Sequence, residues 1–128
     1  MKNLKNRLHV NGQSDFPYLE FVSRINNIDY QENSLDQLRD MVRSFHGSQL
    51  QDNDFISAFA LLKEIIFRQT GLKLFDTQLS TAISRLRGKI AELPTGEGKT
   101  LAAVLTAAFH GMRGHSVHVP IFNDYLAK

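Results

Sequence analysis

A chain of 128 residues, 42% of them hydrophobic, has the material for one domain with a packed core. Its 15 Lys and Arg against 13 Asp and Glu leave a formal charge of +2, too slight a field to mark a binder of nucleic acid or membrane. The absence of cysteine removes disulfides, zinc–thiolate sites and cysteine nucleophiles, and it fits a reducing compartment.

Near the N-terminus, Lys2, Lys5 and Arg7 are followed by no apolar core of the kind a secretory signal needs. No run anywhere is long enough to cross a bilayer, so the expectation is an unprocessed cytoplasmic protein. Leu4 and Leu8 among those cations resemble a short helix for anionic lipid, but the apolar face is too narrow, and a frayed terminus is the preferred reading. From about Asp15 to Ile28, Phe16, Leu19, Val22 and Ile25 recur at three-residue steps and predict a helix. Ser34 and Gln37 form a capping-box pattern ahead of Leu35, Leu38, Met41, Val42 and Phe45, with Gly47 placed to stop this second helix.

A polar run from Gln49 to Asn53 is the one linker-like stretch and divides the chain into a helical lead-in, 1–52, and a second part, 53–128. Asn53 or Asp54 can cap a third helix whose face is Phe55, Phe59, Leu62 and Ile66, closed by Gly71. A fourth begins near Asp76, carries Leu79, Ile83 and Leu86, and ends at Gly88.

Lys89 to Leu93 then reads as a short strand entering Leu93-Pro94-Thr95-Gly96-Glu97-Gly98-Lys99-Thr100. A Gly-rich turn that opens a helix with Lys-Thr suits polyphosphate. Its backbone N–H groups and the positive helix end face an anion, the lysine reaches the β/γ-phosphates, and the threonine hydroxyl ligates Mg²⁺. The strict pattern wants Gly where Leu93 stands, and the context compensates: Leu101, Val104, Leu105, Ala108, Phe109 and Met112 continue as an apolar helix. Ser116 to Ile121 alternates as a second strand, with Pro120 marking its end or an edge, so the unit predicted is βαβ. A Gly-rich surface turn is the competing reading, disfavoured by this strand–loop–helix order.

Other constellations are set aside. His115 and His118 have no third ligand at metal spacing. Arg85, Arg87 and Lys89 lack interleaved aromatics for base stacking and read as a solvated helix end. Glu97 sits in the loop, but water activation belongs to a later acidic residue, and it is given no catalytic role. No Asp-Glu pair follows Thr100, so ATPase activity of the isolated chain is not expected.

From about Phe55 to Lys128 the sequence resembles the N-terminal end of the SecA motor, the ATPase of bacterial protein export. Three blocks carry the resemblance: Gly71-Leu72-Lys73-Leu74-Phe75-Asp76-Thr77-Gln78-Leu79, similar to that family's Q motif; Lys89 to Thr100, similar to its phosphate loop; and Val117-His118-Val119 with Asn123-Asp124-Tyr125-Leu126-Ala127, similar to its next strand and helix start. Upstream, Ile25-Asn26-Asn27-Ile28 and Ser34 to Leu38 resemble the helical lead-in more loosely.

The resemblance implies an α/β fold: N-terminal helices leading into an incomplete RecA-like P-loop NTPase of helicase type, with a parallel sheet. It implies ATP and Mg²⁺ as ligands, held by Phe75, Gln78, Thr95, Gly96, Glu97, Gly98, Lys99 and Thr100, with Thr100 on the metal. Gln78 would read the adenine edge, for which an amide offers both donor and acceptor; from Phe-Asp-x-Gln alone a solvated helix residue is the preferred reading, and the downstream loop reverses that preference. The implied partners are the SecYEG channel and preprotein, with anionic lipid and a second copy as further contacts and nucleic acid disfavoured. The implied location is cytoplasmic or peripheral at the inner face of the cell membrane. Pro94, and Pro120-Ile121-Phe122 in the second strand, depart from the family pattern and suit a divergent or accessory member. The alternatives are a superfamily 2 helicase fragment and a truncated nucleotide-binding protein without activity of its own.

Overall fold

Helix formation in this chain is set by its caps, and the computed structural model, which describes residues 9–10 and 16–120, shows five helices there. These are α1 (Phe16–Asn26), α2 (Leu35–Ser44), α3 (Asp52–Thr70), α4 (Asp76–Leu86) and α5 (Lys99–Met112). Ser34 caps α2 as its spacing predicts: its hydroxyl accepts the Gln37 N–H at 3.2 Å, while Gln37 Oε1 accepts the Ser34 N–H at 2.8 Å. Helix α3 starts earlier than expected, because Gln51 takes the cap position and Asp54, three residues on, accepts the Gln51 N–H at 3.1 Å. Asp54 therefore serves the cap from inside the helix. Gly71 closes α3 at φ +71, donating to Phe67 O at 2.8 Å.

The core joins α1 to α3, α4 and α5. Val22 and Ile25 of α1 meet Phe59, Leu62 and Ile66 of α3, Leu79 and Ile83 of α4, and Leu105 and Phe109 of α5 in one apolar cluster. Aromatic rings fill its centre: Phe55 stacks on Phe59 with centroids 4.6 Å apart, and Phe109 meets Phe55 edge-on at 5.2 Å. Helix α4 is the axis, since every residue from Thr77 to Ser84 is buried. Two of its hydroxyls are satisfied within the helix, Thr81 donating to Thr77 O at 2.7 Å and Ser84 to Ser80 O at 2.9 Å.

One arginine shapes the turn between α1 and α2. Arg68 of α3 donates to the carbonyls of Asn33, Tyr30 and Gln31 at 2.7, 3.0 and 3.0 Å, and to Glu64 Oε1 at 2.6 Å.

The sheet differs from expectation. Among the described residues the strand pairing is a two-stranded antiparallel one, β1 (His9–Val10) with β2 (Ala91–Glu92), in the register His9–Glu92 and Val10–Ala91. No parallel ladder forms there. Residues 115–120 are not strand, and Val117 and Val119 lie exposed. Period-two alternation gives a segment its faces, whereas a strand exists only when a neighbour supplies the ladder, and none pairs with 115–120 among the described residues. Ile121 and the block Asn123 to Ala127 lie outside the described residues, as do Met1 to Leu8 of the lipid-binding pattern.

Candidate phosphate loop and adenine-side turn

The site is built where α4 begins and α5 begins, two helix N-termini brought together by the packing of one helix on the other. Leu93, buried at the end of β2, anchors the entry to the loop, and Pro94 and Thr95 are exposed after it. The turn closes with Glu97 N–H on Pro94 O at 3.3 Å, and the helix starts with Ala102 N–H on Gly98 O at 3.3 Å. Gly96 and Gly98 both take the left-handed conformation, at φ +87 and +77, which side-chain-bearing residues rarely adopt.

No side chain caps α5. The donors of its first turn are left for an external acceptor, and Lys99 and Thr100, its first two residues, are exposed. The Lys99 ammonium forms no ion pair among the described residues, and this cation, the open amides and the Thr100 hydroxyl fit a magnesium-bound polyphosphate in chemistry and in access.

Gln78 ties the two helix starts together. Its Oε1 accepts the Phe75 N–H at 3.0 Å, capping α4, while its Nε2 donates to the Glu97 carbonyl at 3.1 Å inside the loop. The residue is 3% exposed. A methyl group on Gly98 would meet the same carboxamide, with Gln78 Nε2 nearest and Cδ at 3.1 Å, so Gly98 is required by approach as well as by its dihedral. Phe75, at the N-cap of α4, is 68% exposed. The structure thus brings Gln78, Glu97 and Gly98 into direct contact, sets Phe75 beside them through Gln78, and leaves Lys99 and Thr100 open. Glu97 enters through its backbone.

Sequence reasoning missed Asn26, whose side chain bonds Asp76 at the start of α4. A polar residue at a helix end reads as a simple stop, and no local signal could have placed it beside a residue fifty positions away. The set-aside residues go elsewhere: Arg87 lies over the Phe21 ring at 5.1 Å and within 4.0 Å of Asp52. His110 and His115 meet edge-on with centroids 6.0 Å apart, and burial, then the charges of His115 and Arg113, hold the His110 pKa below its ordinary value. Among the described residues no group of three or more His, Cys, Asp or Glu side chains could hold a metal, and no helix is long and apolar enough to cross a membrane.

The family model described as the SecA DEAD-like domain matches residues 5–128. "Protein translocase subunit SecA" of Antithamnion sp. is 44% identical over 117 residues, covering 87% of this chain and 13% of that protein. The subunit of the same name from Thermosipho africanus is 36% identical over 114 residues, 87% of this chain and 13% of its own length. "Protein translocase subunit SecA 2" of Bacillus anthracis is 38% identical over 117 residues, 87% of this chain and 15% of its own length. The chain therefore spans about an eighth of the length of these relatives. No solved structure matches it.

Proposed function

We propose that this chain, which belongs to the SecA family, is the N-terminal ATP-binding segment of a preprotein translocase ATPase. Residues 1–52 are the helical lead-in and residues 53–128 the first part of a RecA-like nucleotide-binding domain. The observation that carries the reading is the Gln78 bridge, which joins the start of α4 to the loop at Glu97 while leaving Lys99, Thr100 and the first-turn amides of α5 open.

Each residue has a defined task. Lys99 supplies the counter-charge for the β/γ-phosphates, and Thr100 contributes a hydroxyl ligand to Mg²⁺. Gly96 and Gly98 let backbone N–H groups approach phosphate without a Cβ in the way, with Thr95 and Glu97 completing the loop. Gln78 has spent one lone pair and one N–H on the backbone and retains one of each, the complement of an adenine edge; Phe75 offers an apolar ring beside it. MgATP, when bound, supplies the phosphoanhydride whose hydrolysis drives a preprotein through the Sec channel. That work involves the rest of a SecA-type protein, including an acidic Mg²⁺ pair and a second RecA-like domain. SecYEG, anionic lipid at the inner face of the cell membrane and a second copy are the partners this reading assigns to the whole protein.

Calorimetric titration with MgADP, run beside Lys99→Ala, tests the reading. Binding by the wild type and none by Lys99→Ala is the expected result, and Gln78→Ala should lose more affinity for MgADP than for magnesium pyrophosphate. Equal losses for both ligands would remove the adenine-reading role from Gln78. A folded wild-type chain that binds neither ligand would show that these residues do not suffice for a nucleotide site.

A further inference from the structure

Asn26, the last residue of α1, sits between two charged side chains from different helices. Its Nδ2 donates to Asp76 Oδ1 at 2.8 Å, and its Oδ1 accepts from Lys63 Nζ at 2.6 Å. Asp76 is the first residue of α4, directly after Phe75 and two before Gln78. A polar chain thus runs from the middle of α3, through the end of α1, to the turn that faces the phosphate loop. We propose that Asn26 is a positioning residue for the adenine side of the site, acting through Asp76 on Phe75 and Gln78. This inference rests on the nucleotide reading above.

Packing alone does not orient that turn. Phe75 is largely exposed, and before Asn26 is counted the turn reaches its surroundings through the Gln78 bond to Glu97 O and the burial of Leu74, Thr77 and Gln78, while the Gln78–Phe75 bond lies within it. The Asn26–Asp76 bond adds a tether from the opposite side, fixing the first turn of α4 before a ligand arrives, and such preorganisation is gained as affinity. The chemistry at position 26 is narrow. Its neighbours are a carboxylate and an ammonium, so the residue must donate on one side and accept on the other, as an amide of this length does. A carboxylate there would face Asp76 with like charge. A leucine would do neither.

The fold does not depend on this side chain. Asn26 is exposed and borders a groove of about 550 Å³ that it shares with Lys63, Lys73 and Leu74, so water takes the place of a shortened side chain instead of a buried void forming.

The test uses the 128-residue chain and its Asn26→Leu, Asn26→Asp and Asn26→Asp/Asp76→Asn variants. Each is titrated with MgADP and with magnesium pyrophosphate, and amide hydrogen exchange is followed at Phe75 and Gln78. Loss of one hydrogen bond predicts about a fivefold weaker MgADP affinity in both single variants, with pyrophosphate affinity unchanged. Exchange at the Phe75 amide should quicken in parallel. The double variant restores the bond in reversed polarity: the new amide at position 76 donates to the new carboxylate at position 26, and Lys63 pairs with that same carboxylate. MgADP affinity should then return to within about twofold of wild type. Equal weakening of both ligands, or failure of the double variant to recover, would overturn the positioning role. If the wild type takes up neither ligand, the nucleotide reading itself fails, and the exchange data still decide whether Asn26 holds the turn; unchanged protection at Phe75 would refute it.

Discussion

Gly98→Ala is the sharpest perturbation the site offers, because two separate costs meet at one methyl group. Holding alanine at φ +77 costs about 1–2 kcal/mol. The new Cβ would also land on the Gln78 carboxamide, which is buried and holds bonds to Phe75 N–H and Glu97 O, so the side chain must leave at least one of them. One broken bond that leaves part of the buried carboxamide unsatisfied adds about 1–3 kcal/mol, and the expected loss is therefore about 2–5 kcal/mol. Gly96→Ala provides the control: its φ is +87, but a Cβ there meets nothing within 4 Å, so the backbone cost alone applies, about 1–2 kcal/mol. Urea denaturation of both variants measures the difference. A cycle completes the argument, because in a Gln78→Ala background the collision is gone and Gly98→Ala should cost no more than Gly96→Ala. If Gly98→Ala costs the same with Gln78 present or absent, the contact between loop and carboxamide does not carry the energy assigned to it.

Two further outcomes follow from interactions away from the loop. Arg68→Met keeps the apolar stem and removes every donor to the carbonyls of residues 30, 31 and 33 and to Glu64; a loss of about 2–4 kcal/mol by urea denaturation is expected, and less than about 1 kcal/mol would show that the turn between α1 and α2 is held by packing instead. His110 has a folded-state pKa below its ordinary 6.5, so as pH falls through that value the unfolded chain takes the proton first and stability drops, levelling once the folded form also protonates. Above the ordinary value His110 contributes no pH dependence. His110→Gln should therefore flatten the decline in melting temperature just below pH 6.5, and an unchanged profile would assign that decline to other groups.

What could be read from sequence divides by distance along the chain. The Ser34–Gln37 cap, the stop at Gly71 and the start of α5 at Lys99 each depend on neighbours within a helical turn, and each is legible. Segment 115–120 shows the reverse case: Val117 and Val119 alternate as a strand should, yet pairing depends on residues far away, which no local pattern supplies. The antiparallel pairing of His9–Val10 with β2 was equally hidden. In the site, the loop residues were legible as a motif, whereas the bond from Gln78 to Glu97 spans nineteen positions and that from Asn26 to Asp76 fifty. Both depend on how α1, α4 and α5 pack.

The burial of α4 on every side sets a limit on substitution along that helix. An amphipathic helix has a solvent stripe where sequence can drift, and Thr77 to Ser84 has none. Ser80, Thr81 and Ser84 are fully enclosed small side chains, spacers whose size sets how closely α1, α5 and β2 approach the helix. Neutral change at those three positions is confined to residues of similar volume such as Ala, Ser, Thr and Val, and a library drawn there would be read out by size before polarity. Phe75 and Asp76 at the start of α4, and Lys99 and Thr100 at the start of α5, are exposed and free of that constraint. Substitution at that mouth is therefore limited by the chemistry proposed for those side chains, and along the helix behind it by volume.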